Sequence, residues 1–161
     1  IKEAHHKKAL FEALLDNRLD VIATDHAPHT LGEKRNSYLK APSGLPLIQH
    51  SLNVMLEFYH QKKVSLERII EKMCHAPADC FEVKDRGYLR EGYFADAVLV
   101  DLKKRFTVKD IENVLYKCGW SPFNGTEFTG QVVTTFVNGF QVYKNGVFDE
   151  SQRGMRLEFE R

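Results

Sequence analysis

An acid and two histidines crowd into the stretch Thr24-Asp25-His26-Ala27-Pro28-His29. A carboxylate in such a cluster can ligate a metal, or take a proton from a water that the metal activates. An imidazole can donate to an anionic substrate or serve as a ligand. Pro28 fixes its own φ and so restricts the angle at which His29 stands to Asp25. From these residues alone, a structural strand end and a reactive one both remain open.

The surrounding sequence shows what must position the cluster. Residues 20–24 (Asp-Val-Ile-Ala-Thr) form a short apolar run rich in β-branched side chains, as suits a strand buried on both faces of a parallel sheet. The cluster would then sit at that strand's C-terminal edge, where α/β barrels gather their catalytic groups. A helix is expected over 3–17, from Ala4, Leu10, Phe11, Leu14 and Leu15 at spacings of three and four. Residues 30–44 are polar and carry Gly32, Pro42 and Gly44, the signature of a long loop suited to a lid. Helical pattern returns over 47–59, again over 66–74 with Ser65 as cap, and over 77–82 from Pro77. Strands are expected over 95–102, 132–137 and 140–144, with turns at Asn138-Gly139 and Asn145-Gly146. Helices thus dominate 1–85 and strands 86–161, and a domain boundary is drawn there. Met155, Leu157 and Phe159 alternate with charges in the tail, which reads as a loose end or a docking strand.

Composition narrows the classes. The 161 residues are 43% hydrophobic and 28% charged, and 23 basic residues against 22 acidic ones give a formal charge of +1. Neither nucleic acid nor an anionic membrane would draw such a chain strongly. No apolar run approaches the roughly 18 residues of a membrane span. Cys74, Cys80 and Cys118 are odd in number and dispersed, which fits a reduced, cytoplasmic setting.

The segment Val21-Ile22-Ala23-Thr24-Asp25-His26-Ala27-Pro28-His29-Thr30 resembles the last barrel-strand motif of the dihydroorotases, cyclic amidohydrolases of the amidohydrolase superfamily. Ala41-Pro42-Ser43-Gly44-Leu45-Pro46 resembles the substrate-side loop that follows. The runs Gly92–Asp101, Trp120-Ser121-Pro122-Phe123, Gly130-Gln131-Val132-Val133-Thr134-Thr135 and Gly139-Phe140-Gln141-Val142-Tyr143 match the family's small β domain in order. The resemblance implies an α/β fold: the C-terminal part of a metal-dependent hydrolase (β/α)8 barrel over 1–85, and part of a small β-sandwich composite domain over 86–161. It implies reversible interconversion of dihydroorotate and N-carbamoyl-L-aspartate in pyrimidine biosynthesis, with one or two zinc ions. Asp25 would be both metal-proximal and the catalytic acid/base. His29 would contact the substrate carboxylate, assisted by the main chain at Ser43 and Gly44. Ser43 departs from the Phe or Pro that many members carry, so its side chain is assigned no role.

The family's remaining metal ligands are missing, since none of the seven histidines makes His-x-His. A barrel needs about 250 residues. The chain is therefore expected to be a piece of a longer enzyme, inactive alone, starting at Ile1 with about 290 residues upstream. Its implied partners are a small-molecule substrate, the rest of its own chain and a second copy in a homodimer. A hydantoinase- or dihydropyrimidinase-like enzyme is the alternative within catalysis. A non-catalytic scaffold for a carbamoyltransferase is the alternative outside it.

Other candidates read as structural. His5-His6 and His60 are expected at the surface, as is His50. Cys74 and Cys80 are expected as buried thiols. Trp120, with Cys118, is expected in the core or at an interface. Lys103-Lys104-Arg105 is expected to be a solvated turn.

Overall fold

The computed structural model describes residues 3–160; Ile1, where the expected truncation falls, lies outside them. The elements run α1 (Ala4–Leu15), α2 (Leu31–Lys34), a 3-10 turn (Ile48–His50) leading into α3 (Ser51–His60), α4 (Leu66–Ile70), a π turn (Glu71–His75) and α5 (Ala76–Cys80). Strands β1 (Ala97–Thr107), β2 (Glu127–Val137), β3 (Phe140–Lys144) and β4 (Val147–Phe148) follow in one sheet of order β1-β2-β3-β4. Every helix precedes residue 86 and every strand follows it. The chain nonetheless clusters into two compact units that each draw on both sides of that point. One holds the segment ending at Ile22 together with residues 62–101 and the chain from Val132; the other holds residues 23–61 and 102–131.

In the first unit, α1 buries Ala13 and Leu14, and Asn17 turns the chain at φ 67°. Ser65 caps α4 as expected, its hydroxyl accepting from Arg68 N at 3.2 Å. The α-helix expected over 66–74 stops at Ile70, and the π turn carries the chain on to α5, which ends at Cys80 rather than at residue 82. The turn points Lys72 inward, 3% exposed, where Nζ donates to Leu19 O at 2.7 Å. The Lys72 carbonyl accepts from Ile22 N at 3.0 Å, so one lysine ties down the irregular stretch after α1.

That stretch corrects the strand expected over 20–24. It has no regular secondary structure and pairs with no strand among the described residues, and Ala23 is exposed. A parallel strand is held by ladders on its flanks, and no flanking strand is present in these residues. The β elements follow the turn chemistry. Asn138 and Gly139 (φ 53° and 80°) join β2 to β3 antiparallel, with Val137 opposite Phe140, and Asn145-Gly146 joins β3 to β4. Buried Arg86 pairs with Asp96 and donates to Asn138 Oδ1 at 2.7 Å, while Asn138 N donates to Asp96 Oδ1 at 2.7 Å. The tail docks: Val83 and Phe159 form an antiparallel bridge, framed by Lys84 N to Glu158 O and Glu160 N to Glu82 O, both 2.9 Å.

The second unit packs α3 on the start of β2. Met55 and Leu56 are buried, and Asn53 Nδ2 donates to Gly130 O at 2.8 Å. A Cβ on Gly130 would stand 2.7 Å from Leu56 Cδ1, so the glycine is what lets the helix approach. Val108, Tyr116, Trp120 and Phe128 complete the core. Lys103, Lys104 and Arg105 lie within β1 rather than in a turn, since an exposed strand face accommodates charged side chains. Cys74 and Cys80 are exposed rather than buried, and all three cysteines are free. No described helix is long and apolar enough to cross a membrane.

Candidate functional site

The second unit contains every residue singled out for chemistry. Asp25 adopts φ 46°, left-handed backbone that is uncommon for any residue with a Cβ, though least so for Asn and Asp. Its carboxylate is exposed and makes no hydrogen bond or ion pair among the described residues. The next residue is firmly held. His26 forms a parallel bridge with Leu45, Ala27 N donates to Leu45 O at 2.9 Å, and His26 Nδ1 accepts from Leu47 N at 3.0 Å and Ile48 N at 3.3 Å. A tight turn about Pro28 follows, with His29 N donating to Ala27 O at 2.9 Å. Trp120 Nε1 donates to His29 O at 2.8 Å. The His29 main chain is thus fixed at both ends while its half-buried imidazole makes no hydrogen bond among the described residues.

The loop after His29 is more ordered than its polarity promised. Thr30 and Glu33 form a capping box on α2: Glu33 N donates to Thr30 Oγ1 at 3.3 Å and Thr30 N donates to Glu33 Oε2 at 2.7 Å. The Thr30 hydroxyl and amide hold the Glu33 carboxyl below its usual range. Lys34 then reaches across the loop, Nζ donating to Pro42 O at 2.7 Å and Gly44 O at 3.1 Å. Gly44 sits at φ 93°, and a Cβ there would lie 2.5 Å from Ala27 Cβ. Its lack of a side chain therefore seats Ala27. The amides of Ser43 and Gly44 donate to nothing among the described residues, and the Ser43 side chain is exposed.

Beneath these segments lies a buried aromatic group. His50, expected at the surface, is 1% exposed. Phe128 stacks on it at 6.0 Å, and Tyr116 and Phe123 meet it edge-on. Burial pushes the His50 imidazole down from its ordinary value, and Nε2 has no partner. The Tyr116 hydroxyl accepts from Gln49 N at 2.8 Å, lies 3.4 Å from His50 Nδ1, and is pushed up by burial. Sequence reasoning missed His50, Tyr116 and Lys34, whose roles depend on partners distant in the chain. It also missed α2, reading 30–44 as loop throughout, although Thr30-x-x-Glu33 is the sequence signature of a capping box.

Asp25, His29, Ser43 and Gly44 thus lie on two loops that adjoin through His26–Leu45 and Ala27–Gly44. No group of three or more His, Cys, Asp or Glu able to hold a metal exists among the described residues. Asp25 alone cannot hold a zinc ion, which takes about four donors. The His26 nitrogen turned toward the helix is already an acceptor, so it is no free ligand.

Residues 2–142 match the amidohydrolase family model. The chain is 37% identical over 146 residues to the dihydroorotase of Clostridium acetobutylicum, covering 90% of this chain and 34% of that protein. It is 40% identical over 119 residues to the dihydroorotase of Halobacterium salinarum, covering 74% and 28%. The L-hydantoinase (dihydropyrimidinase) from Arthrobacter aurescens superposes with a TM-score of 0.82 at 30% identity, covering 91% of this chain and 33% of that one. The chain spans about a third of the length of these relatives.

Proposed function

Because the chain belongs to the amidohydrolase family, we propose that it supplies the acid/base and substrate-carboxylate side of a dihydroorotase active site. The reaction is the reversible ring opening of dihydroorotate to N-carbamoyl-L-aspartate. In this reading residues 1–85 bring the 20–24 segment, which would become the last barrel strand only by pairing with strands from the rest of the enzyme, and its trailing helices, and 86–161 bring part of the small β domain. The remaining strands and metal ligands come from the rest of the enzyme chain, in the cytoplasm, with a homodimer as the assembly. The observation that carries the reading is Asp25: an unpartnered carboxylate on left-handed backbone, set beside residues that are pinned on every side.

Zinc, with Asp25 as this chain's one donor to it, would acidify a water and polarise the amide carbonyl. The Asp25 carboxylate takes the proton of the attacking water and returns it to the departing ring nitrogen, which keeps it ionised for the next turnover. His29 and the free amides of Ser43 and Gly44 receive the substrate carboxylate. The loop over 30–42 gates the site, hinged where Lys34 clasps Pro42 and Gly44 and tipped by Tyr38 and Leu39, 94% and 92% exposed.

The similarity to hydantoinase structures supports a second reading, in which the substrate is a ring amide without a carboxylate. Both are tested by Asp25→Asn in the enzyme at its full encoded length, assayed on dihydroorotate and hydantoin. Turnover should fall about 10²–10⁴-fold with the melting temperature little changed. Near-normal turnover overturns the assignment of Asp25, and preferential ring opening of hydantoin by the parent enzyme overturns the dihydroorotase reading.

A further inference from the structure

We propose that His26 is a positioning residue, acting through Nδ1 as a helix-capping acceptor that holds Asp25 in its left-handed conformation; the inference rests on the acid/base reading of Asp25. A helix begins with amides that no intrahelical carbonyl can serve. Three in a row, those of Leu47, Ile48 and Gln49, open the 3-10 turn and α3. The first two donate to His26 Nδ1 at 3.0 and 3.3 Å, and the third donates to the Tyr116 hydroxyl at 2.8 Å. The two capping rings lie against each other, centroids 5.2 Å apart. An acceptor at Nδ1 makes Nε2 the protonated nitrogen of the neutral ring.

The cap constrains Asp25 by its nearness in the chain. Ala27 is fixed by its amide on Leu45 O and by its methyl in the space that Gly44 leaves open. His26 is fixed by its ring on the helix. Asp25 is one peptide upstream, and rotating it out of φ 46° would pull His26 off two amides at once. The helix end thereby sets the direction of the carboxylate without touching substrate.

The test separates the two ring nitrogens. In the full-length enzyme, Asn at position 26 places a carbonyl oxygen where Nδ1 stands, Gln places one nearer to Nε2, and Leu offers none. His26→Asn should keep kcat within about threefold, while His26→Gln and His26→Leu should lose about 10–100-fold in kcat with KM changed less than about threefold, the scale of a misplaced catalytic group. Amide exchange at Leu47 and Ile48 should stay slow in the Asn variant and accelerate in the other two. Activity kept by Gln and lost by Asn would show Nε2 to be the working atom and overturn the inference. Equal losses in all three variants, or none in any, would overturn it as well. Should His26→Leu fail to fold, the comparison of Asn with Gln still decides. An inactive Asp25→Asn beside fully active Gln and Leu variants at 26 sinks this inference alone, whereas an active Asp25→Asn sinks the reading beneath it.

Discussion

Replacing Gly44 by alanine should couple to Ala27, and the size of that coupling follows from the geometry. Two costs are separable. Alanine at φ 93° is disfavoured by about 1–2 kcal/mol. Its Cβ would also fall 2.5 Å from that of Ala27, a separation the loops must open up, and such overpacking costs about 1–3 kcal/mol. Gly44→Ala should therefore cost about 2–5 kcal/mol. Ala27→Gly removes the methyl on the other side at about 0.5–1 kcal/mol of backbone entropy. In the double variant the backbone term remains and the clash disappears. The two substitutions should thus be less than additive by about 1–3 kcal/mol. Urea unfolding, with amide exchange at Ala27 and Leu47 as the local probe, measures the cycle. Additivity within about 0.5 kcal/mol would refute the packing argument. Gly44 would then be needed for the approach of a ligand, and Gly44→Ala would act on KM instead.

His50→Phe should remove a pH dependence. Burial lowers the pKa of His50 when folded, whereas the unfolded chain takes a proton below about 6.5. The unfolded state therefore binds more protons as pH falls through that value, and stability drops by up to about 1.4 kcal/mol per pH unit until the lowered folded pKa is reached. Melting temperatures from pH 7.5 to 5.5 should fall more steeply with His50 than with Phe, and parallel curves would refute this. Trp120→Phe keeps an aromatic ring but loses the donor to His29 O, at about 1 kcal/mol. On the dihydroorotase reading, KM for dihydroorotate in the full-length enzyme should rise severalfold with kcat within about twofold; a fall in kcat at unchanged KM would refute the proposed recognition role of His29.

The features that the sequence made legible are those whose physics is local. Two Asn-Gly pairs reverse the chain because both residues tolerate positive φ, and Ser65 caps α4 because its hydroxyl lies within reach of an amide three residues on. The run at 20–24 has the composition of a buried strand, but a strand exists only through its neighbours, and none pairs with it in the described residues. His50 illustrates the same limit in the core. Its burial is made by Tyr116, Phe123 and Phe128, more than sixty positions away, and no periodicity around residue 50 encodes them. Lys34 reads as one charge among several in a polar loop, yet it is half-buried because two carbonyls at 42 and 44 fold back onto it.

The capping of α3 also bears on where a substrate's negative charge can go. A helix N-terminus is ordinarily an anion site, since its free amides and dipole both point outward. Here the amides of Leu47, Ile48 and Gln49 are engaged by His26 and Tyr116. An anion would have to displace a buried tyrosine hydroxyl and a fixed imidazole to reach them, leaving both without their partners. The donors that remain open lie one step away, at the His29 imidazole and the amides of Ser43 and Gly44. Glu33, the nearby negative charge that could compete for His29, is itself held by the hydroxyl and amide of Thr30. On the proposed reading, the cap that holds Asp25 also leaves His29 and the loop amides as the open donors for a carboxylate, so that acid/base chemistry and substrate recognition would depend on one set of contacts between two loops and the start of α3.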